Sequence, residues 1–263
     1  MVARRDRDHH VRERLLFEKL LMLLLALFVF QSGIFAQTSL ETIWSEILSE
    51  SVSSGELDGV PLNVVDYQRI NTDARFRQLI SDLQKFDPTT LESESEKMAF
   101  WINVYNIAAV KMVLGNLPLK SIRDAGSTFS PVWKKKVIVI GENTLSLGQI
   151  EHDILRKMGD ARIHFAIVCA SVSCPDLRLE AYNAERLDLQ LDDQSKMFLL
   201  NSVKGFQFGD DKKSVYVSSI FKWFKKDFGG VDGIRQFVFK YTSKDLAGLS
   251  VKFLHYNWNL NGK

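Results

Sequence analysis

The sequence has few residues that interrupt a fold and none of several motifs that mark common chemistries. Its 263 residues contain 5 Pro, 15 Gly and 2 Cys, and no stretch has the composition of a linker, a repeat or a low-complexity tract. It has no Gly-rich phosphate loop, no GxSxG serine motif and no HExxH zinc motif. The sequence therefore gives no basis for a nucleotide-phosphate site or a serine nucleophile, and we expect no cofactor.

The N-terminus has the pattern of an export signal. Leu20–Phe30 is an unbroken apolar run, residues 1–19 hold six Lys/Arg against four Asp/Glu, and a small residue, Ala36, closes the segment. The pattern predicts a cleavable signal peptide over residues 1–36. The remaining residues, 37–263, would form a single domain in the periplasm or outside the cell.

An uncleaved membrane anchor is the alternative interpretation of this segment. A spanning helix needs about 20 apolar residues. Leu20–Ala36 has only 17 residues and includes Gln31, Ser32 and Gly33. Length therefore favours cleavage, and no later segment is apolar for long enough to give the mature chain a stable membrane span.

Removal of the signal changes the charge of the chain. The whole sequence has 34 Lys+Arg and 32 Asp+Glu, and without residues 1–36 each number becomes 28. A mature net charge of zero gives no electrostatic reason to bind nucleic acid. We expect the partner to be a small molecule or a peptide.

Hydrophobic periodicity predicts an α+β fold, a mainly helical single domain with short β-hairpins and a small mixed or antiparallel sheet. Helical spacing covers Leu40–Glu50, Ala74–Lys85, Glu92–Leu114, Ser146–Met158, Ala184–Asn201, 219–228 and 231–240. Extended patterns cover Val64–Tyr67, Lys136–Leu145, Ile163–Val168, Phe206–Val217 and Leu249–Tyr256. Ser51–Pro61 is polar and contains glycine, which predicts a loop.

Cys169 and Cys174 lie at the end of the predicted strand Ile163–Val168 and in the small-residue turn that follows it. Three interpretations stay open. In an oxidising compartment a nearby pair often forms a disulfide. Cys169 could instead be a nucleophile with loop N–H groups free for an oxyanion. The third interpretation is two structural thiols.

A zinc site with two Cys and two His ligands is a rival use of these residues. The spacings match no standard zinc finger, so we expect no metal.

A nucleophilic cysteine needs a base, and the mature chain offers three histidines, His152, His164 and His255. His164 is an odd number of residues before Cys169, so on one strand their side chains would lie on opposite faces. His152 begins a predicted helix and could face the strand end. It is therefore the preferred base.

Two amides of the longest predicted helix, Asn103 and Asn106, share one face because they are three residues apart. Buried amides most often tie a helix to its neighbours by hydrogen bonds. The functional alternative is that one of them orients a histidine in a Cys–His–Asn arrangement. Candidate binding residues are Tyr105, Glu151, Ser171 and Arg178.

Three segments, FWINVYN at Phe100–Asn106, IEHDILR at Ile150–Arg156 and FAIVCASVSCPDLR at Phe165–Arg178, together resemble the domain of unknown function 547 family. The similarity is best over residues 92–205, and the ending Tyr256–Asn261 is also similar to that of bacterial members.

The resemblance implies that a Cys at the position of Cys169 and the pair Glu151–His152 recur. It also implies that plant-type members carry Ser at the position of Cys174 and Thr at that of His164. An obligatory disulfide is then less expected, and His152 is favoured over His164.

Two functional hypotheses follow from the sequence. The first is an exported thiol-dependent hydrolase or acyl-transfer enzyme with Cys169 as nucleophile, His152 as base and Asn103 or Asn106 orienting the imidazole. The second is a non-enzymatic envelope protein that binds a small ligand or partner and has a structural Cys169–Cys174 disulfide.

Overall fold

The computed structural model describes residues 19, 37, 39–127 and 130–263 of the chain. The predicted signal peptide, residues 1–36, lies outside the described residues apart from Lys19. Among the helices of the described part, none is long and apolar enough to cross a membrane.

The first described elements are helix α1 over residues 39–51, one residue longer at each end than predicted, and a β-hairpin that was not predicted. Strands β1 (Val52–Leu57) and β2 (Val60–Val65) pair antiparallel where we predicted a loop. Asp58 and Gly59 turn the chain with φ values of 53° and 74°, the left-handed pair that an Asp-Gly hairpin turn requires. The loop prediction was wrong because the outer positions of β1 are polar and exposed.

Helices α2 (Tyr67–Thr72) and α3 (Ala74–Lys85) lead to the central helix α4 (Glu94–Leu114). The bounds of α3 are those predicted, and α4 begins two residues later than predicted. Ser93 and Glu96 form a capping box at its start, which satisfies free N–H groups of the first turn. Side chains are buried on all sides of α4, so it forms the axis of the larger hydrophobic core.

After α4 the chain forms the predicted hairpin, strands β3 (Lys136–Ile140) and β4 (Asn143–Ser146). Ser146 then caps helix α5 (Leu147–Gln149), as predicted. This helix continues as a π-turn, Ile150–Ile154, and a tighter 3₁₀ turn, Leu155–Met158, and ends at Gly159 with φ 78°. A π-turn holds one extra residue, and such insertions are frequent at functional sites.

The segment predicted as strand Ile163–Val168 is instead a single helical turn, α6 (Ile163–Ala166), followed by extended chain. A short apolar run has no decisive periodicity, so length alone had favoured a strand. The helical turn forms because Asp160 precedes it and accepts backbone hydrogen bonds from Arg162 and Ile163. The argument that His164 and Cys169 lie on opposite faces of a strand therefore fails.

The C-terminal part contains three helices, α7 (Leu187–Leu200), α8 (Ser219–Trp223) and α9 (Gly230–Thr242). It also contains a three-stranded mixed sheet of β5 (Phe206–Phe208), β6 (Ser214–Val217) and β7 (Ser250–Phe253). Strand β5 pairs antiparallel with β6, and β7 pairs parallel with it. This arrangement confirms the predicted α+β class with small sheets.

Two clusters of buried apolar side chains hold these elements together. The larger one surrounds α4, and the smaller one lies between α7, α8, α9 and the mixed sheet. Cys169 packs against both clusters. The loop that carries it is therefore at the junction of the two cores.

Candidate functional site

A pocket of about 300 Å³ opens at this junction. Its wall is largely aromatic, from Tyr105, Trp133, Trp223, Phe224, Tyr256 and Trp258. The polar and sulfur-containing lining comes from Glu151, His152, His164, Cys169 and Cys174. The pocket thus brings together Tyr105, Glu151, His152, His164 and Cys169. They come from α4, the π-turn, α6 and the loop of residues 169–174, here called the Cys loop.

Cys169 and Cys174 form a disulfide, so neither is a thiol in this structure, and their Cα atoms are 6.1 Å apart. The backbone N–H of Cys169 donates to Cys174 Sγ at 2.9 Å. Ala170, in the small-residue loop, has the left-handed φ of 58°, which is uncommon for a residue with a side chain. Of the three interpretations of the cysteines, the structure has the disulfide.

The hydroxyl of Tyr256 touches both sulfurs, at 3.2 Å from Cys169 Sγ and 3.3 Å from Cys174 Sγ. Burial raises the pKa of Tyr256, so the hydroxyl keeps its proton and acts as a donor. Its ring packs on Trp223 and Trp258, with centroids 4.7 and 4.5 Å away. The aromatic wall therefore positions this hydroxyl against the disulfide.

The C-terminal segment, residues 257–263, binds the Cys loop through backbone hydrogen bonds. Val172 N–H donates to Asn259 O at 2.8 Å, Ser173 N–H to Asn257 O at 3.1 Å, and Asn261 N–H to Ala170 O at 3.1 Å. The N–H group of Cys174 donates to Ser171 O, so the N–H groups of Val172, Ser173 and Cys174 are already bonded. These three groups are not free for an oxyanion.

Glu151 is buried at the pocket, and its side chain is hydrogen-bonded to the hydroxyl of Tyr105. Burial raises the pKa of Glu151 to about 7. The charge of Arg156 and the hydrogen bond from Tyr105 lower this pKa, but by less than burial raises it. The carboxyl group is therefore partly protonated at neutral pH. A carboxyl poised in this way can release or accept a proton when a ligand binds.

His152 follows Glu151 in the π-turn and is exposed at the pocket. Burial of part of the ring, followed by the charge of Arg156, lowers the pKa of His152. Arg156 Nη1 lies 3.4 Å from His152 Nδ1. His152 is thus a neutral imidazole at pH 7, beside the arginine.

His164 is buried, and its ring stacks on Phe224 with centroids 3.9 Å apart. Its Nε2 lies 2.8 Å from Asp227 Oδ2, and its Nδ1 is buried without a hydrogen-bond partner. Arg156 binds the same carboxylate through Nε and Nη2, at 2.6 and 2.7 Å. Hydrogen bonds from Arg156 and then His164 lower the pKa of Asp227 to about 2, while burial lowers that of His164 to about 4.

The hydrogen bonds of the two α4 amides go to backbone groups. Asn103 binds Tyr182 O at 2.7 Å and Tyr182 N–H at 2.9 Å. Asn106 binds Ala166 O at 3.0 Å and Val168 N–H at 2.8 Å. Both amides therefore tie α4 to neighbouring loops, and neither orients an imidazole.

The two remaining predicted binding residues do not line the pocket. Arg178 pairs with Asp193 and Glu180, at 2.7 and 2.9 Å, and covers the ring of Tyr182. Ser171 is buried, and its hydroxyl lies 3.5 Å from Cys169 Sγ. In the described part of the chain, no group of three or more His, Cys, Asp or Glu side chains could hold a metal ion.

Asp227, Trp223 and Phe224 were not predicted from the sequence, and Tyr256 and Trp258 were noted only as part of the resemblance. All five come from the C-terminal part, far along the chain from Glu151 and Cys169. No spacing rule connects such distant positions. The aromatic ending at Tyr256 and Trp258 was the one signal available.

The model of the family described as "Protein of unknown function, DUF547" matches residues 88–199 of the chain. No curated protein and no solved structure matches the chain. The match confirms the resemblance drawn from the three motifs. It includes Tyr105, Glu151, His152 and the Cys loop, whereas Asp227 and Tyr256 lie beyond it.

Proposed function

Residues 88–199 of the chain match the DUF547 family, whose description states no function, so we propose a function from the pocket itself: it binds a small organic molecule with an aromatic or alkyl part and a basic nitrogen. The observation that carries this proposal is the carboxyl of Glu151 in a pocket whose wall is largely aromatic. The proposal corresponds to the second hypothesis from the sequence, a binding protein with a structural disulfide.

The charges of the lining residues favour a basic nitrogen over an acid. Glu151 is the one carboxyl group among them, and both histidines have lowered pKa values and are neutral at pH 7. A bound amine can take the proton of Glu151 or pair with its carboxylate, which compensates a group that is costly to bury alone.

The aromatic wall supports the same class of molecule. Ring faces attract cations, and the attraction is larger when the cation is desolvated. Trp223 and Trp258 stack with centroids 5.5 Å apart, beside Tyr256. At about 300 Å³ the pocket is at the small end of the range for organic ligands, so we expect a molecule of roughly one or two rings.

Binding of benzylamine, benzyl alcohol and benzoate to the oxidised protein tests the proposal. Isothermal titration should rank the amine first and the acid last. Glu151→Gln should lower the affinity for the amine at least tenfold. Glu142→Gln is the same change at an exposed site outside the pocket, and it should leave that affinity unchanged. Equal or tighter binding of benzoate, or no binding of any of the three, would contradict the proposal.

The thiol-dependent hydrolase predicted from the sequence is a second candidate, for the reduced protein. The observation in its favour is His164, which lines the same pocket as Cys169, is hydrogen-bonded through Nε2 to Asp227, and has a buried Nδ1 without a partner. In that reaction a Cys169 thiolate would be the nucleophile and His164 or His152 the base.

Hydrolysis of 4-nitrophenyl acetate by the reduced protein tests this candidate. The expected result is a burst of nitrophenol that is lost in Cys169→Ser and retained in Cys174→Ser. A rate that does not depend on Cys169 would rule it out.

Export stays a proposal as well. It is supported by the apolar run Leu20–Phe30 and the small residue at Ala36. Mass spectrometry of the protein outside the cytoplasm should find an N-terminal peptide that begins at Gln37. Retention of residues 1–36 on the exported protein would show that the segment is an anchor.

A further inference from the structure

The two sulfurs of the disulfide differ in their access to the pocket. Both cysteines line it, but Cys174 is only 2% exposed, whereas Cys169 is partly exposed. A small molecule that enters the pocket therefore meets Cys169 first. Attack by a thiolate on one sulfur of a disulfide makes the other sulfur the leaving group.

The less accessible sulfur, Cys174 Sγ, is also the one that accepts a backbone hydrogen bond, from Cys169 N–H at 2.9 Å. The hydroxyl of Tyr256 lies 3.2 Å from Cys169 Sγ and 3.3 Å from Cys174 Sγ, so it is within reach of the Cys174 thiolate when the bond between the sulfurs breaks. Donors of this kind stabilise a thiolate and lower the pKa of the thiol, and a leaving thiol of lower pKa departs faster. Cys169 Sγ is thus the sulfur that a thiolate can reach, and Cys174 Sγ is the sulfur that is stabilised as a leaving thiolate.

We propose that Cys169–Cys174 is a thiol–disulfide exchange site, at which a small thiol or dithiol that enters the aromatic pocket attacks Cys169 and Cys174 leaves as a thiolate held by Tyr256 and the Cys169 N–H. This activity goes beyond ligand binding and does not depend on it.

The exchange balances with a dithiol as reductant. Its first thiolate bonds to Cys169 Sγ while the Cys169–Cys174 bond breaks and Cys174 takes the electron pair. The second thiol of the reductant loses its proton and attacks the reductant's own sulfur in the mixed disulfide, which releases Cys169 as a thiolate. Two electrons pass from the dithiol to the cysteine pair, and the two thiol protons end on Cys169 and Cys174. The reductant leaves as a disulfide.

The surrounding structure keeps the two cysteines in place throughout. The C-terminal segment holds the backbone of Ala170, Val172 and Ser173 by three hydrogen bonds that involve no sulfur. Breaking the disulfide therefore leaves the loop anchored. The reduced pair stays close enough to re-form when a disulfide of the same class is the reactant.

The first experiment compares the two cysteines one at a time in the folded protein. Reduced Cys174→Ser, which retains Cys169, and reduced Cys169→Ser, which retains Cys174, are mixed with 2,2′-dithiodipyridine, and released pyridine-2-thione is followed by absorbance. Cys169 should react at least tenfold faster. Equal rates, or a faster reaction of Cys174, would refute the assignment of the attacked sulfur.

The second experiment isolates Tyr256 as a positioning residue. Tyr256→Phe keeps the ring and removes the hydroxyl; reduction of the disulfide by dithiothreitol should slow at least threefold, and the pKa of the Cys174 thiol in Cys169→Ser should rise. Tyr182→Phe is the matched control, because its hydroxyl is buried without a partner and outside the pocket. The proposal fails if Tyr256→Phe behaves as wild type, or if the wild-type disulfide resists reduction until the protein is unfolded.

Failure of this proposal and failure of ligand binding are distinguishable. Amine binding is measured on the oxidised protein, without thiols, and depends on Glu151. Exchange is measured with neutral reagents and depends on Cys169 and Tyr256.

Discussion

Nε2 of His164 donates a hydrogen bond of 2.8 Å to Oδ2 of Asp227. The direction follows from the two pKa values, about 4 for the imidazole and about 2 for the carboxyl group. At neutral pH the carboxylate can only accept, so the neutral ring carries its proton on Nε2. Nδ1 then has a free lone pair, and it is one of the buried side-chain atoms of the described residues that have no hydrogen-bond partner.

Asp227→Asn should destabilise the protein by about 1–3 kcal/mol, because it removes the charge that Arg156 and His164 share. Urea unfolding at pH 7 measures the change. Asp232→Asn is the control, since its pair with Arg235 is exposed, and we expect less than about 0.5 kcal/mol there. If Asp227→Asn lost no more unfolding free energy than Asp232→Asn, the bonds of Asp227 to Arg156 and His164 would not stabilise the protein.

Glu151 and His164 should give opposite pH dependences to the stability. Glu151 has a folded pKa of about 7 against an ordinary value of 4.5, so its stabilising contribution is full below 4.5 and is lost as the pH rises through 7. His164 has a folded pKa of about 4 against 6.5, so its contribution is full above 6.5 and is lost as the pH falls through 4. Each shift corresponds to roughly 3 kcal/mol.

Unfolding of two variants between pH 7 and 4.5 tests these signs. Relative to wild type, Glu151→Gln should lose stability as the pH falls, and His164→Asn should gain it. His255→Asn is the matched control, because it removes an imidazole that is exposed and outside the pocket. Variant curves that run parallel to wild type would show that neither group changes its proton affinity on folding.

Asn106→Ala should cost about 2–4 kcal/mol, because it leaves the buried Ala166 carbonyl and Val168 N–H without their partner. Thermal and urea unfolding give the value. Asn116→Ala removes a hydrogen bond to Met112 O at the exposed end of α4, and we expect less than about 1 kcal/mol. Comparable losses at the two positions would argue against a structural role specific to Asn106.

A permanently charged ligand should report the ionisation of Glu151. Benzyltrimethylammonium cannot accept a proton, so it needs the carboxylate, and its affinity should fall about tenfold per pH unit below pH 7. Titration calorimetry from pH 5.5 to 8 would follow the change. In Glu151→Gln the affinity should be weak and independent of pH, and a persisting slope would assign the titration to another group.

The helices with strong periodicity were predictable, and the short elements were not. Ala74–Lys85 was predicted with its observed bounds, because Asp73 caps it and its apolar side chains recur on one face. Ile163–Ala166 is four residues long, and over that length apolar residues fit a strand or a helical turn equally well. The hairpin β1–β2 was not predicted, because its turn signal, Asp58-Gly59, follows a strand with a polar outer face.

The site was predictable where its residues share a motif. Glu151 and His152 line the pocket with Cys169, as their common occurrence in the three motifs suggested. Asp227 could not be found in the same way, because its role depends on packing of the chain before α9 against α6. The roles of Asn103 and Asn106 could be settled only by seeing which backbone groups lie opposite them.

The hydrogen bonds of the C-terminal segment have a consequence for synthesis. Leu260 N–H donates to Lys120 O, Asn261 to Ala170 O, and the hydroxyl of Tyr67 to the side chain of Asn261. These residues therefore join α2, the chain after α4 and the Cys loop. The helices around α4 can pack before residues 257–263 have been synthesised, but the loop opposite Tyr256 takes its final form only after them, so the pocket is completed later than those helices.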